Sequence, residues 1–106
     1  MNLPNCIKDY FDADSRNDPD ALVATLSTDA IVEDERMRHV GADAIRKWWA
    51  EAKQKTPHVN EPIDAATTGN VTRVRAKVSG EFPGSPVTLQ FAFTVQDDRI
   101  VRLEIA

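Results

Sequence analysis

Hydrophobic residues recur along this chain with two periods, and the change from one to the other falls near His58. Before that point the spacing is helical. Leu3, Ile7, Tyr10 and Phe11 lie on one stripe and predict a first helix over about residues 3–13, with Tyr10 facing inward. A polar break, Asp14 to Asp18, follows. Asp18-Pro19-Asp20 then supplies an N-cap and a proline at the first helical position, which predicts a short second helix turning Leu22, Val23 and Leu26 inward and ending at Ser27-Thr28-Asp29. Ala30 to Glu35 reads as a short strand, with Ala30, Val32 and Asp34 on one face and Ile31 and Glu33 on the other. After a charged loop, Gly41 opens a third helix. Its Ile45, Trp48, Trp49 and Ala52 form an apolar stripe opposite Arg46, Lys47, Glu51 and Lys53, and Thr56-Pro57 ends it.

Beyond His58 the period is close to two. His58 to Thr68 predicts a strand interrupted at Pro62, as an edge strand or a bulged one would be. Gly69-Asn70 is a turn, and Val71 to Phe82 alternates Thr72, Val74, Ala76 and Val78 against Arg73, Arg75, Lys77 and Ser79. Pro83-Gly84-Ser85-Pro86 connects to a strand whose Val87, Leu89, Phe91, Phe93 and Val95 share a face. Asp97-Asp98 turns into a last strand, Arg99 to Ile105, with Ile100, Arg102 and Glu104 on one side and Val101, Leu103 and Ile105 on the other. An antiparallel sheet with one apolar face needs a cover. The expected class is therefore α+β: three N-terminal helices packed on a strongly curved, mainly antiparallel sheet that leaves a conical pocket. Residues 1–106 form one domain.

Composition narrows the partners. A net charge of −4 argues against nucleic acid and anionic membrane, since a phosphate backbone is bound through excess Lys and Arg. The single Cys6 has no disulfide partner and fits a reducing compartment. With no signal-like N-terminus and no apolar run of bilayer length, the expected location is the cytoplasm. His39 and His58 have no ligand-like spacing to a third donor, and no phosphate loop or nucleophile elbow is present, so a pocket here is expected to work without metal or cofactor.

The most suggestive chemistry lies between Thr28 and Trp49. Asp34 sits on an apolar strand face, and an aromatic wall of Trp48 and Trp49 follows closely. If wall and carboxylate close over one cavity, Asp34 loses hydration and becomes a proton acceptor of useful strength. His39, in an Arg-rich loop, is a candidate for the pocket mouth, while Glu33 points away. Arg36, Arg38 and Arg46 could attract an anion, yet Glu33, Glu35 and Asp43 flank them.

The order helix–helix–strand–helix–meander, with Tyr10 in the first helix, Val32-Glu33-Asp34 ending the first strand and Gly41-Ala-Asp-Ala-Ile-Arg-Lys-Trp-Trp49 opening the third helix, resembles the SnoaL-like and ketosteroid-isomerase-like branch of the nuclear-transport-factor-2-like superfamily. The resemblance covers nearly the whole chain, and the spacing from Tyr10 to Asp34 runs without a gap. It implies the cystatin-like cone, Asp34 as the general base carrying a proton between carbons, and Tyr10 as the donor to an enolate oxygen. It also implies a homodimer through the outer sheet face, where Arg73, Arg75 and Lys77 lie. Two positions depart from the family pattern. Phe91 stands where the steroid isomerases keep a second, protonated aspartate, and losing one oxyanion donor typically costs roughly 10²–10³ in rate. Trp49 stands where a supporting aromatic hydroxyl is usual, and its indole only donates.

Two functions follow. The first is a cofactor-free isomerase, cyclase or dehydratase acting beside a carbonyl of a small hydrophobic molecule, with Asp34 as base and Tyr10 as oxygen holder. Its pocket would be walled by Trp48, Trp49, Val78, Phe91, Phe93 and His39. The alternative is a non-catalytic ligand-binding or dimerisation module of the same fold.

Overall fold

Prolines and turn residues set the boundaries of the elements. In the computed structural model, which describes residues 1–106, the chain runs α1 (Asn5–Ser15), α2 (Pro19–Val23), β1 (Leu26–Asp34), β2 (Met37–Val40), α3 (Ala42–Lys55), β3 (His58–Thr68), β4 (Val71–Gly80), β5 (Val87–Gln96) and β6 (Arg99–Ile105). Pro4 opens α1, and Asn17 at φ 53° lets the chain leave it. The Asp18 side chain accepts from the Ala21 N–H at 3.0 Å ahead of Pro19, the predicted N-cap. Gly41 at φ 89° opens α3 in a conformation other residues rarely adopt.

One curved, mixed sheet has the strand order β2-β1-β6-β5-β4-β3. Strands β3 to β6 form the expected antiparallel meander, β1 adds to β6 in parallel, and β2 closes the other edge antiparallel to β1. Pro62 lies on the edge strand β3 beside a bulge that leaves Ile63 unpaired between the Pro62–Ala76 and Asp64–Arg75 pairs. At the far end of β4, a Cβ on Gly80 would press on the Pro57 carbonyl and come within 2.8 Å of the His58 Cα, so the missing side chain lets β4 close against the entry to β3.

The inner sheet face and the helices share one core. Its centre is aromatic: Tyr10 and Phe11 of α1 meet Phe91 and Phe93 of β5 with ring centroids 5.4–5.6 Å apart, in edge-on or tilted arrangements. Thr72, Val74, Ala76 and Val78 are buried, as the alternation in β4 predicts.

Three expectations are corrected. The helical part encloses two strands, β1 and β2, where one short strand was expected. The second helix is five residues long, Leu26 is the first residue of β1, and the supposed charged loop contains β2. Glu35 and Arg36, at φ 50° and 65°, make a two-residue hairpin turn between the Asp34–Met37 pair, a turn that Asn-Gly or Asp-Gly ordinarily signals. Finally, Ile100 does not share a face with Arg102. Val101 is the extra residue of a bulge between the Val95–Ile100 and Thr94–Arg102 pairs, so parity flips and Ile100 and Leu103 are both fully buried.

Candidate active site

A cavity of about 560 Å³ opens between α1, α3, the β1–β2 hairpin and the inner face of β3–β5. That is a usual size for a small-molecule site. Tyr10 and Asp14, one helical turn apart on α1, reach it from one side. Asp34, at the end of β1, reaches it from the mouth, because the parity that buries Ala30 and Val32 also turns Asp34 inward.

The two carboxylates are held very differently. Asp34 is half-buried, and its Oδ2 accepts one hydrogen bond, from Trp48 Nε1 at 3.1 Å. Its other oxygen has no partner within the chain. Glu33 faces the opposite side of the sheet and pairs with Arg38 and Arg102. Asp14 is 1% exposed and has three donors: Trp49 Nε1 at 2.8 Å, Lys53 Nζ at 3.1–3.2 Å and Asn60 Nδ2 at 3.1 Å. Lys53 also donates to the His58 carbonyl at 2.9 Å, and its ammonium stands 5.9 Å from the centre of the Trp49 ring.

Tyr10 is 1% exposed, yet its hydroxyl bonds to no other group of the chain, Asp34 included. Since no side-chain oxygen is sealed in without a partner, that hydroxyl opens onto the cavity. Burial, reinforced by the negative charges of Asp14 and Asp34, pushes the phenol well above its ordinary value. The group therefore stays a neutral donor at any physiological pH.

Among the predicted wall residues, Trp48, Trp49, Val78, Phe91 and His39 line the cavity. The His39 ring lies against Trp48, with centroids 5.8 Å apart. Phe93 is a correction: it is fully buried at the centre of the sheet, edge-on to Tyr10, and supports the phenol from behind without reaching the cavity. Asp14 and Asn60 were not singled out by the sequence. Their signals were there, since Asp14 lies one turn beyond Tyr10 on the buried stripe and Asn60 falls at an inward position of β3. No three His, Cys, Asp or Glu side chains converge where they could hold a metal ion, and no helix is long and apolar enough to cross a membrane.

This constellation lies on a recognisable fold. The model of the SnoaL-like domain matches residues 7–103, and the chain belongs to that family. Among solved structures, a putative polyketide cyclase from Sinorhizobium meliloti is 55% identical with a TM-score of 0.96, covering 98% of this chain and 95% of that one. A hypothetical protein from Catenulispora acidiphila with a ketosteroid isomerase-like fold, solved in complex with trimethylamine, is 16% identical with a TM-score of 0.86, covering 99% and 86%. A cystatin fold protein from Novosphingobium aromaticivorans is 22% identical with a TM-score of 0.83, covering 100% and 98%. The last two share the fold. No curated protein matches the sequence.

Tyr10 is the only tyrosine, so its ionisation can be followed by ultraviolet absorbance without overlap. The phenolate band is expected to stay absent through the ordinary tyrosine range near pH 10 and to emerge only at higher pH or on unfolding. Because the folded state holds this proton more tightly than the unfolded one, the corresponding stability is fully present below about pH 10 and declines as pH rises beyond it. A phenolate forming at the ordinary value while circular dichroism still reports a folded protein would contradict this environment.

Proposed function

We propose that this protein is a cofactor-free, small-molecule-binding SnoaL-like enzyme that moves a proton beside a carbonyl group of a hydrophobic substrate. The observation that carries the reading is the pairing, in one cavity, of a buried phenol without a partner and a carboxylate with one free oxygen. Asp34 takes a proton from the carbon next to the carbonyl. The electron pair left behind moves onto the carbonyl oxygen, where the Tyr10 hydroxyl donates to the developing charge. The protonated Asp34 then returns its proton. Delivery to another carbon gives isomerisation; delivery to the alkoxide formed when the enolate carbon attacks a second carbonyl gives ring closure; delivery to a departing β-hydroxyl gives dehydration.

The name of the Sinorhizobium relative favours ring closure. So does Phe91, which lines the cavity and offers no second donor. An oxyanion held by one hydrogen bond suits a substrate whose carbon acid is already activated, such as a 1,3-dicarbonyl, better than a simple ketone. Trp48, Trp49 and Val78 supply the apolar walls that keep water out during transfer. The outer sheet face, with exposed Arg73, Arg75 and Lys77, is the surface we assign to a second copy of the chain.

Proton transfer is testable without the natural substrate, by following α-proton exchange of β-tetralone into deuterated water by NMR. The wild type is expected to accelerate exchange, Asp34→Asn to lower the rate by about 10²–10⁴ and Tyr10→Phe by about 10²–10³, with ligand affinity little changed. Ligand binding with exchange left at the buffer rate would instead establish a non-catalytic binding module. For the assembly, sedimentation velocity is expected to show twice the 11.8 kDa chain mass. A single-chain species at micromolar concentration would remove the dimer.

A further inference from the structure

The cavity holds a further polar side chain, beside Tyr10 and Asp34, whose orientation is fixed and whose capacity is unused. Asn60 is 9% exposed on the inner face of β3, and its Nδ2 donates to Asp14 Oδ2 at 3.1 Å. The amide cannot turn around. Asp14 already accepts from Trp49 and Lys53, groups that can only donate, so both of its oxygens act as acceptors. An Asn60 amide turned the other way would set its oxygen against a carboxylate oxygen, acceptor to acceptor. Asn60 Oδ1 is therefore held away from Asp14. It accepts no hydrogen bond from the chain, and since no side-chain oxygen is sealed in without a partner, it opens onto the cavity that Asn60 lines.

We propose that Asn60 is a specificity-determining residue, its side-chain oxygen a fixed acceptor for a hydroxyl group carried by the ligand. The inference rests on the cavity being the ligand site, and it refines the substrate class: a hydrophobic carbonyl compound that also bears a hydroxyl, as a phenol or the enol of a 1,3-dicarbonyl does. The physical reason is asymmetric. A ligand with a hydroxyl replaces the water that the oxygen loses on binding, whereas a ligand without one leaves a desolvated acceptor unpaired, and sites of this kind discriminate strongly against such analogues. A methyl ether, which can accept but not donate, gains nothing. Asp14, with Trp49 and Lys53 bonded to it, is the frame that sets the direction of the Asn60 amide.

The test is calorimetric and uses the full chain with β-tetralone, its monohydroxy isomers and the matching methoxy compounds. For at least one isomer, the hydroxy compound is expected to bind the wild type about tenfold more tightly than the parent, with the methoxy compound no better than the parent. In Asn60→Leu the hydroxy compound is expected to fall to the parent's affinity. Should Asn60→Leu fail to fold, the same three compounds are compared on Asp34→Ala, which removes the other free acceptor oxygen of the cavity: the hydroxy preference is expected to persist there, and its loss would assign it to Asp34 and overturn the proposal. Equal binding of all three classes, an equal gain from the methoxy group, or a preference that persists in Asn60→Leu overturns the proposal. These measurements read binding, so a protein that discriminates hydroxyls but exchanges no protons loses the catalytic reading and keeps this one; failure of every probe to bind removes both.

Discussion

The carboxylate of Asp14 is where α1, α3 and β3 meet. A charge this deep is costly to bury unless its oxygens are fully occupied, and here three side chains from two elements occupy them. Losing Lys53 would strand a buried charge, and losing Trp49 or Asn60 would leave a buried carboxylate oxygen short of a donor. The cluster therefore fixes the relation of the helices to the edge of the sheet. It also sets the direction of the Trp49 indole and of the Asn60 amide, two of the surfaces that a ligand would meet.

Against that fixed floor, the side chains of Asp34 and Tyr10 are left short of partners. Asp34 has one donor where Asp14 has three, and Tyr10 has none although it is equally buried. Such a contrast leaves one carboxylate supporting the frame and the other with an oxygen open to the cavity, the difference on which the proposed proton transfer relies. The phenol adds a constraint of its own. Burial and the two nearby negative charges oppose its ionisation, which keeps it a neutral hydroxyl able to donate a hydrogen bond.

Where local chemistry decided the outcome, the sequence was readable. The Asp18-Pro19 cap, the Gly41 start and Thr56 end of α3, and the whole of β3 appear where turn and capping residues placed them. The inward set of β4 was equally legible, since an unbroken period of two leaves no choice of face. Where pairing decided it, the pattern misled. Strand β2 was hidden because its hairpin turn uses Glu35 and Arg36 at positive φ, residues that carry no turn signal, and it forms only because β1 supplies a partner. Ile100 was turned to the wrong side by a bulge at Val101 that exists only in the pairing with β5. At the site, the strand parity placed Asp34 on an inward face and the helical stripe placed Tyr10 inward, and both line the cavity. Asp14 looked like a solvated break between helices, because the lysine, tryptophan and asparagine that justify its burial lie far along the sequence. Phe93 shares a strand face with Phe91, but depth beneath α1 separates core from cavity wall, and periodicity carries no depth.

The Tyr10 hydroxyl and the Asp34 carboxylate line one cavity, and the proposed chemistry needs both to face the same ligand there. A crystal structure of the chain with β-tetralone bound tests it most directly. The ketone oxygen is expected about 3 Å from the Tyr10 hydroxyl, with Asp34 over the adjacent carbon. A ligand seated outside the cavity, or a Tyr10 hydroxyl turned to bond the protein itself while Asp34 points to solvent, would contradict it.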